Sequence, residues 1–411
     1  MPSLDILIQN ARLRQSTELV DIAISAGSIV QVAAGIQAIA DLKIDAAGSL
    51  VSQPFANPHM HLDKVYTLPM MDEKALTFYH SPGMGRAINA VEQAAKIKEQ
   101  YDRNWIVKNA RRALALAALH GVLYLRAFAD VDRLAGQEGL SALLQVRDEF
   151  KDILTVQVVA FAEDGIVREP QTADLIRQSM QLGADVVGGH PFIELTDEGA
   201  RQHVCTIFDI AEEFDADVSM LVDDADDASQ RQTEMMAVET IRRGWQGRVL
   251  AHHARAMSSY PEAYYRKLAT LLQQADMGIV TNPHTGPLYT RVRDLLQDGI
   301  DVALGQDDIS DAYYPYGRNN MLEVAFLASH LLWMTTRTEM EVLYDMISGT
   351  PTRRLGITHP GITAGAPADL VILGKPDLIE ALRFHLPPKW VISKGKLVDS
   401  AKMETLSEPW Q

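Results

Sequence analysis

A single cysteine, Cys205, in 411 residues rules out any intrachain disulfide and any thiolate zinc cluster. Positive charge is also in short supply: 38 Lys and Arg face 54 Asp and Glu, a formal net charge of −16. That acidity argues against nucleic acid or an anionic membrane as the partner. No apolar run reaches transmembrane length, and Met1 to Ala11 lacks a basic stretch followed by an apolar one. A cytoplasmic protein is expected on these grounds. Low-complexity tracts and helical-array repeats are missing too. What is present, 47% hydrophobic and 22% charged residues, suits a globular enzyme with one large domain and an appendage.

The first fifty residues predict short strands at Asp5 to Ala11, Leu19 to Ser25, Ser28 to Ala33 and Leu42 to Asp45, with turns at Ala26-Gly27 and Ala47-Gly48. Similar texture returns near the end. Gly361 to Leu373 reads as turn then strand, and Lys389 to Ser393 with Lys396 to Asp399 reads as a hairpin around Gly395. Residues 1–50 and 355–411 are therefore expected to pair into one small β-sandwich domain, with 51–354 inserted between them. In the middle, strands alternate with helices. Strands are expected at Gly121 to Ala127, Leu154 to Ala162, Ala184 to Gly188, Ala216 to Val222, Gly247 to His252, Gly278 to Thr281 and Asp301 to Leu304. Helical patterns such as Asn104 to His120, Thr172 to Leu182, Ala200 to Phe214 and Pro261 to Gln274 lie between them. With the strand before His59, this is the pattern of an α/β protein built as a (β/α)8 TIM barrel. An open doubly wound sheet is the alternative, since periodicity does not report closure.

Barrel enzymes carry their chemistry at the C-terminal ends of the strands. The first such end is His59-Met60-His61-Leu62-Asp63-Lys64. Side chains two apart on a strand point the same way, so both imidazoles can face one metal ion. The second end is Asp130, the third Glu163 and Asp164, the fourth His190 and Glu194. The fifth is Asp223 and Asp224, the sixth His252 and His253, the seventh His284, and the eighth Asp307 and Asp308. Taken singly, a strand-end Asp commonly caps the next helix and a lone His is commonly a hydrogen-bonded core residue. Six of the twelve histidines at such ends is a different matter. Imidazole and carboxylate donors together suit a hard-to-borderline divalent metal. Such a metal makes water nucleophilic near neutral pH, and a nearby His or carboxylate can pass the proton to a leaving amine.

With those residues in view, the chain resembles the amidohydrolase superfamily, in its cytosine deaminase-like branch. The resemblance runs through Pro58 to Lys64, Val156 to Phe161, Gly183 to Gly189, Gly247 to His253, Gly305 to Asp308 with Tyr314-Pro315, and the Gly361…Gly365…Ala368-Asp369-Leu370 stretch. It implies one divalent metal, zinc or iron, ligated by His59, His61 and Asp307, with His253 and Asp224 as further catalytic residues. The family's fifth-strand histidine ligand falls at Leu221, and leucine cannot coordinate a metal. Losing one ligand should cost several kcal/mol of metal affinity, since changes behind the ligands alone cost about 10–100-fold. Other departures are Phe128 in Arg126-Ala127-Phe128-Ala129-Asp130, Asp224 for a longer carboxylate, Glu163 for a substrate-binding Gln, and Gln306 before the metal Asp.

Three readings follow. In one, the protein hydrolyses a C–N bond and a substitute ligand closes the site: Glu163 or His190, with His252 and Asp223 as others. In another, it is a metal-poor enzyme using His253 and Asp307 as acid and base. In the third, it binds a heterocycle without catalysis. The substrate is expected to be a small nitrogen heterocycle with an alkyl or aryl substituent, met by Lys64, Phe128, Glu163, His284 and Tyr313, on a pocket rim formed by Lys64, Tyr66, Phe128, Phe161, His284, Tyr313 and Tyr314. Met70, Met71 and the Ser81-Pro82-Gly83-Met84-Gly85 stretch suggest a cover. A homo-oligomer is expected from the resemblance, with the apolar faces of Pro315 to Leu332 and of the helix expected from Glu339 to Ser348 as candidate shared surfaces.

Overall fold

A computed structural model describes residues 3–71 and 95–409, so the cover expected around Gly83 lies outside the described residues. Five strands come first: β1 (Leu4–Leu13), β2 (Leu19–Ser25), β3 (Ser28–Ala33), β4 (Ala40–Asp45) and β5 (Leu50–Ser52). Eight more form the middle: β6 (Phe55–His61), β7 (Val122–Asp130), β8 (Thr155–Ala162), β9 (Val186–Gly189), β10 (Asp217–Val222), β11 (Val249–His253), β12 (Gly278–Thr281) and β13 (Val302–Leu304). Three close the chain: β14 (Leu370–Ile372), β15 (Trp390–Ser393) and β16 (Lys396–Leu397).

The middle strands pair in sequence order, all parallel, from β6 to β13. The seam between the first and last is closed by a bridge from Met60 to Asp307. There His61 N donates to Asp307 O and Asp307 N donates to His59 O, both at 2.9 Å. The backbone that shuts the barrel is thus the backbone that carries the expected metal ligands. Asn57 adds a stitch, its Oδ1 accepting from Gln306 N at 3.0 Å.

Strands buried on both faces are mostly apolar; β7 is buried over its whole length, with Arg126 and Asp130 as its charged residues. Their outer faces pack on surrounding helices in one large core. Inside the barrel the side chains form layers. Low in it, Arg126 reaches Gln157 Oε1, Ser219 Oγ and Asp217 Oδ2. Above lies an apolar layer of Phe128, Val159, Phe161, Val186 and Leu221. Two of the surrounding helices start on side-chain caps: Asp102 accepts from Asn104 N before α1 (Arg103–Leu119), and Thr196 accepts from Gly199 N before a later one, Asp197–Phe214.

The terminal strands make a separate mixed sheet, β16-β15-β14-β5-β1-β2-β3, with β4 on β1. Both chain ends contribute to it because β5 joins β1 in parallel and β14 antiparallel. Its core is Ile-rich, with Ile6, Ile8, Ile22, Ile24 and Ile44 on one side. Among the described residues no helix is long and apolar enough to cross a membrane.

Candidate active site

At the mouth of the barrel, His59 Nε2 stands 2.8 Å from Asp307 Oδ1 and 3.3 Å from His61 Nε2. His61 Nε2 is 3.9 Å from Asp307 Oδ1. Three ligand-type atoms from two strands thus face one point, and all three residues are buried. The local backbone makes this approach possible. A Cβ on Gly305 would lie 2.7 Å from His59 Cβ, so only glycine lets the β13 end come this close. Asp307 and His253 both hold left-handed backbone, with φ of 70° and 67°. Such conformations cost a non-glycine residue on the order of 1–3 kcal/mol and cluster at functional sites.

The protonation states suit metal ligation. Burial holds the His61 imidazole well below its usual range, with Lys64 adding to the effect. His253 and His284 are each pushed down to about 4, chiefly by burial. Neutral imidazoles offer the lone pair a metal needs. Burial acts against ionisation of Asp307, yet its contacts with His59 and His253 hold its carboxyl well below the usual carboxylate range. The donor set of two imidazoles and one carboxylate therefore fits a divalent cation. Among the described residues a second group, His61, Asp63 and Asp130, also brings ligand-type atoms within 4.8 Å of one another.

Asp307 is linked outward to Asp224. Its Oδ2 lies 2.7 Å from Thr285 Oγ1, which accepts from Arg255 Nη2 at 3.1 Å. Arg255 Nη1 in turn donates to Asp224 Oδ1 at 2.6 Å. Burial would raise the Asp224 carboxyl, but the Arg255 guanidinium keeps it below its ordinary value. Sequence reasoning missed Arg255 and Thr285. Arg255 lies two residues beyond His253 and Thr285 directly follows His284, and that proximity was the available signal.

The other expected residues divide sharply. Leu221 faces the interior, buried with Phe128 and Phe161, so this stretch of wall is dry. Phe128 is not on an open rim: it is fully buried and stacks on the His59 ring at 4.7 Å and 27°. Asp223 cannot supply a substitute ligand. Its oxygens take up Gln232 N, Thr233 N, Thr233 Oγ1 and Tyr260 OH at the start of the next helix. Glu194 is likewise occupied, by the amides of residues 166–168 and by His203. Glu163 and His190 belong to neither group of converging donors; they face each other, Oε1 to Nδ1, at 3.9 Å. Burial first, then the Asp130 charge, push Glu163 up to about 8 against the pull of Lys64, so it is a neutral acid at pH 7. Its Oε2 has no hydrogen-bond partner among the described residues.

Lys64 donates to Asp130 Oδ2 at 2.9 Å with its Nζ 5.7 Å above the Tyr313 ring. Behind it, buried Lys98 spans Asp132 at 2.6 Å and Asp164 at 2.7 Å, a pairing that nothing in the sequence signalled. His284 meets Tyr314 edge-on at 5.2 Å, while Tyr66 packs under Arg112.

A family model described as the amidohydrolase family matches residues 43–399. Over 400 residues the chain is 30% identical to N-isopropylammelide isopropyl amidohydrolase of Pseudomonas sp. (strain ADP), covering 97% of this chain and 94% of that one. It is 26% identical over 405 residues to pterin deaminase of Rhizobium rhizogenes, covering 92% of this chain and 87% of the relative. The structure of 5-methylcytosine deaminase from Klebsiella pneumoniae liganded with 5-fluorocytosine superposes with a TM-score of 0.87 at 30% identity, over 95% of this chain and 97% of that one.

Proposed function

The chain belongs to the amidohydrolase family, and we propose that it hydrolyses a carbon–nitrogen bond on a small substituted nitrogen heterocycle at the His59, His61 and Asp307 centre. The convergence of those three donors at the barrel seam carries the reading. His59, His61 and Asp307 would hold a divalent cation, zinc or iron, which would supply Lewis acidity and a water that is nucleophilic near neutral pH.

The chain's own groups do the rest. Asp224, ionised at neutral pH, takes the proton of the attacking water and returns it to the departing amine nitrogen as the C–N bond breaks. His253, neutral and beside Asn282 Nδ2 at 3.4 Å, orients the water. Glu163 as a neutral acid both donates and accepts, which matches a ring edge that carries an imine-type nitrogen next to an amino or carbonyl group. The Phe161 ring, parallel to His190 at 6.2 Å and 25°, sits between this edge and His61. The dry wall of Phe128 and Leu221 favours an alkyl or aryl substituent over a purely polar ring.

The test is release of ammonia or alkylamine from amino-substituted triazines, pyrimidines and pterins by the metal-supplemented protein. Release that disappears in His61→Ala and Asp307→Asn supports the proposal; no release from any of the three classes contradicts it. Leu221 favours a second reading, metal-poor acid–base chemistry by His253 and Asp307. That reading requires turnover to survive exhaustive chelation.

A further inference from the structure

We propose that His252 is a positioning residue that fixes the tautomer and ring orientation of His59; the inference rests on the reading of His59 as a metal ligand. His252 and Leu221 are register partners on adjacent strands. Leu250, two residues before His252, packs inside the barrel with Val280 and Ala303, so strand alternation sends His252 inward too. Its Nδ1 lies 2.6 Å from His59 Nδ1, on the side of that ring remote from Asp307 and His61. His252 Nε2 is buried and has no hydrogen-bond partner among the described residues.

Two imidazole nitrogens this close need one proton between them. If His59 Nε2 is to present its lone pair toward Asp307 and His61, its proton must sit on Nδ1. His59 then donates, His252 Nδ1 accepts, and the His252 proton is left on Nε2. One face of the His59 ring is covered by the stacked Phe128, which holds its orientation. A ligating histidine usually has a carboxylate, carbonyl or water behind it. Here the partner is a neutral imidazole, set one strand over from the place where Leu221 contributes no polar atom.

The full chain would be titrated with zinc and cobalt in competition with a chromophoric chelator, in wild type, His252→Leu, His252→Asn and His59→Ala. Asn Oδ1 occupies roughly the place of Nδ1 and accepts from His59, whereas Leu cannot. The expected result is a roughly 10–100-fold loss of affinity in His252→Leu, with His252→Asn within a few-fold of wild type and His59→Ala binding least. X-ray absorption of the cobalt-loaded wild type and His252→Asn should count two imidazoles in both. Wild-type affinity in a folded His252→Leu would overturn the proposal while leaving the metal centre standing. Three imidazoles in the wild type would overturn it differently, by making His252 a ligand. Should His252→Leu fail to fold, the imidazole count and His252→Asn decide: an Asn variant with lost affinity contradicts the role. A wild type that takes up no metal removes the parent reading and this inference together.

Discussion

Leu221 and His252 stand opposite each other on neighbouring parallel strands, both directed into the barrel: one apolar, one an imidazole held against His59. The pairing locates the departure from the family pattern. Restoring a ligand by Leu221→His should therefore raise zinc affinity by about 10-fold or more, measured by chelator competition, because the position already faces the interior. No gain would mean that Phe128 and Phe161, which share the Leu221 cluster, prevent a histidine there from reaching the donors.

Asp224 and Arg255 form a buried pair at 2.6 Å. Asp224→Asn keeps the shape but removes the carboxylate that carries the proton, so turnover should fall by roughly 10²–10⁴-fold. Stability should fall by on the order of 3 kcal/mol, since removing one charge of a buried ion pair is costly. Denaturant titration and steady-state rates on the same preparation separate the two effects. Unchanged turnover in a folded Asp224→Asn would exclude it as the proton carrier.

Glu163 makes a prediction about pH. Burial raises its folded-state value to about 8, from an ordinary value of 4.5. Between those values the unfolded chain has released this proton and the folded chain has not. Folding stability from this group is therefore fully present below about 4.5 and declines as pH rises toward 8. Glu163→Gln, which mimics the neutral acid and does not titrate, should match wild type near pH 4.5. Near pH 8 it should be more stable, by on the order of 4 kcal/mol. Parallel urea titrations at the two pH values check this. An equal difference at both would mean that Glu163 is ionised in the fold.

Lys98 neutralises two carboxylates at hydrogen-bond distance and approaches Asp130 at 3.8 Å. Lys98→Met should destabilise the protein by on the order of 3–5 kcal/mol, because Asp132 and Asp164 lose their buried counter-charge. A melting temperature within a degree or two of wild type would show that water replaces the ammonium there.

The barrel was legible because its strands are apolar runs that end in polar residues, and the elements fall where the pattern put them. The strand expected at Gly278 to Thr281 is β12, and that expected at Leu154 to Ala162 is β8 within one residue. The H-x-H pair and Asp307 were legible for the same reason: strand alternation and strand-end position fix where such side chains point. Asp223 and Glu194 look equivalent in sequence. Only the fold reveals that helix amides and His203 consume their oxygens. Contacts between distant segments were illegible, among them Lys98 to Asp164, Arg255 to Thr285 and His59 to His252. Each depends on which strands become neighbours and on side-chain rotamers, and no local pattern encodes either.

Metal content per chain, on protein purified without chelator after growth with zinc, iron or manganese, tests the central claim most directly. The account predicts close to one divalent ion per chain, lost in His61→Ala and in Asp307→Asn. Negligible metal in well-folded protein under every supplement would contradict it, and would leave the His59, His61 and Asp307 cluster to metal-free chemistry or to ligand binding.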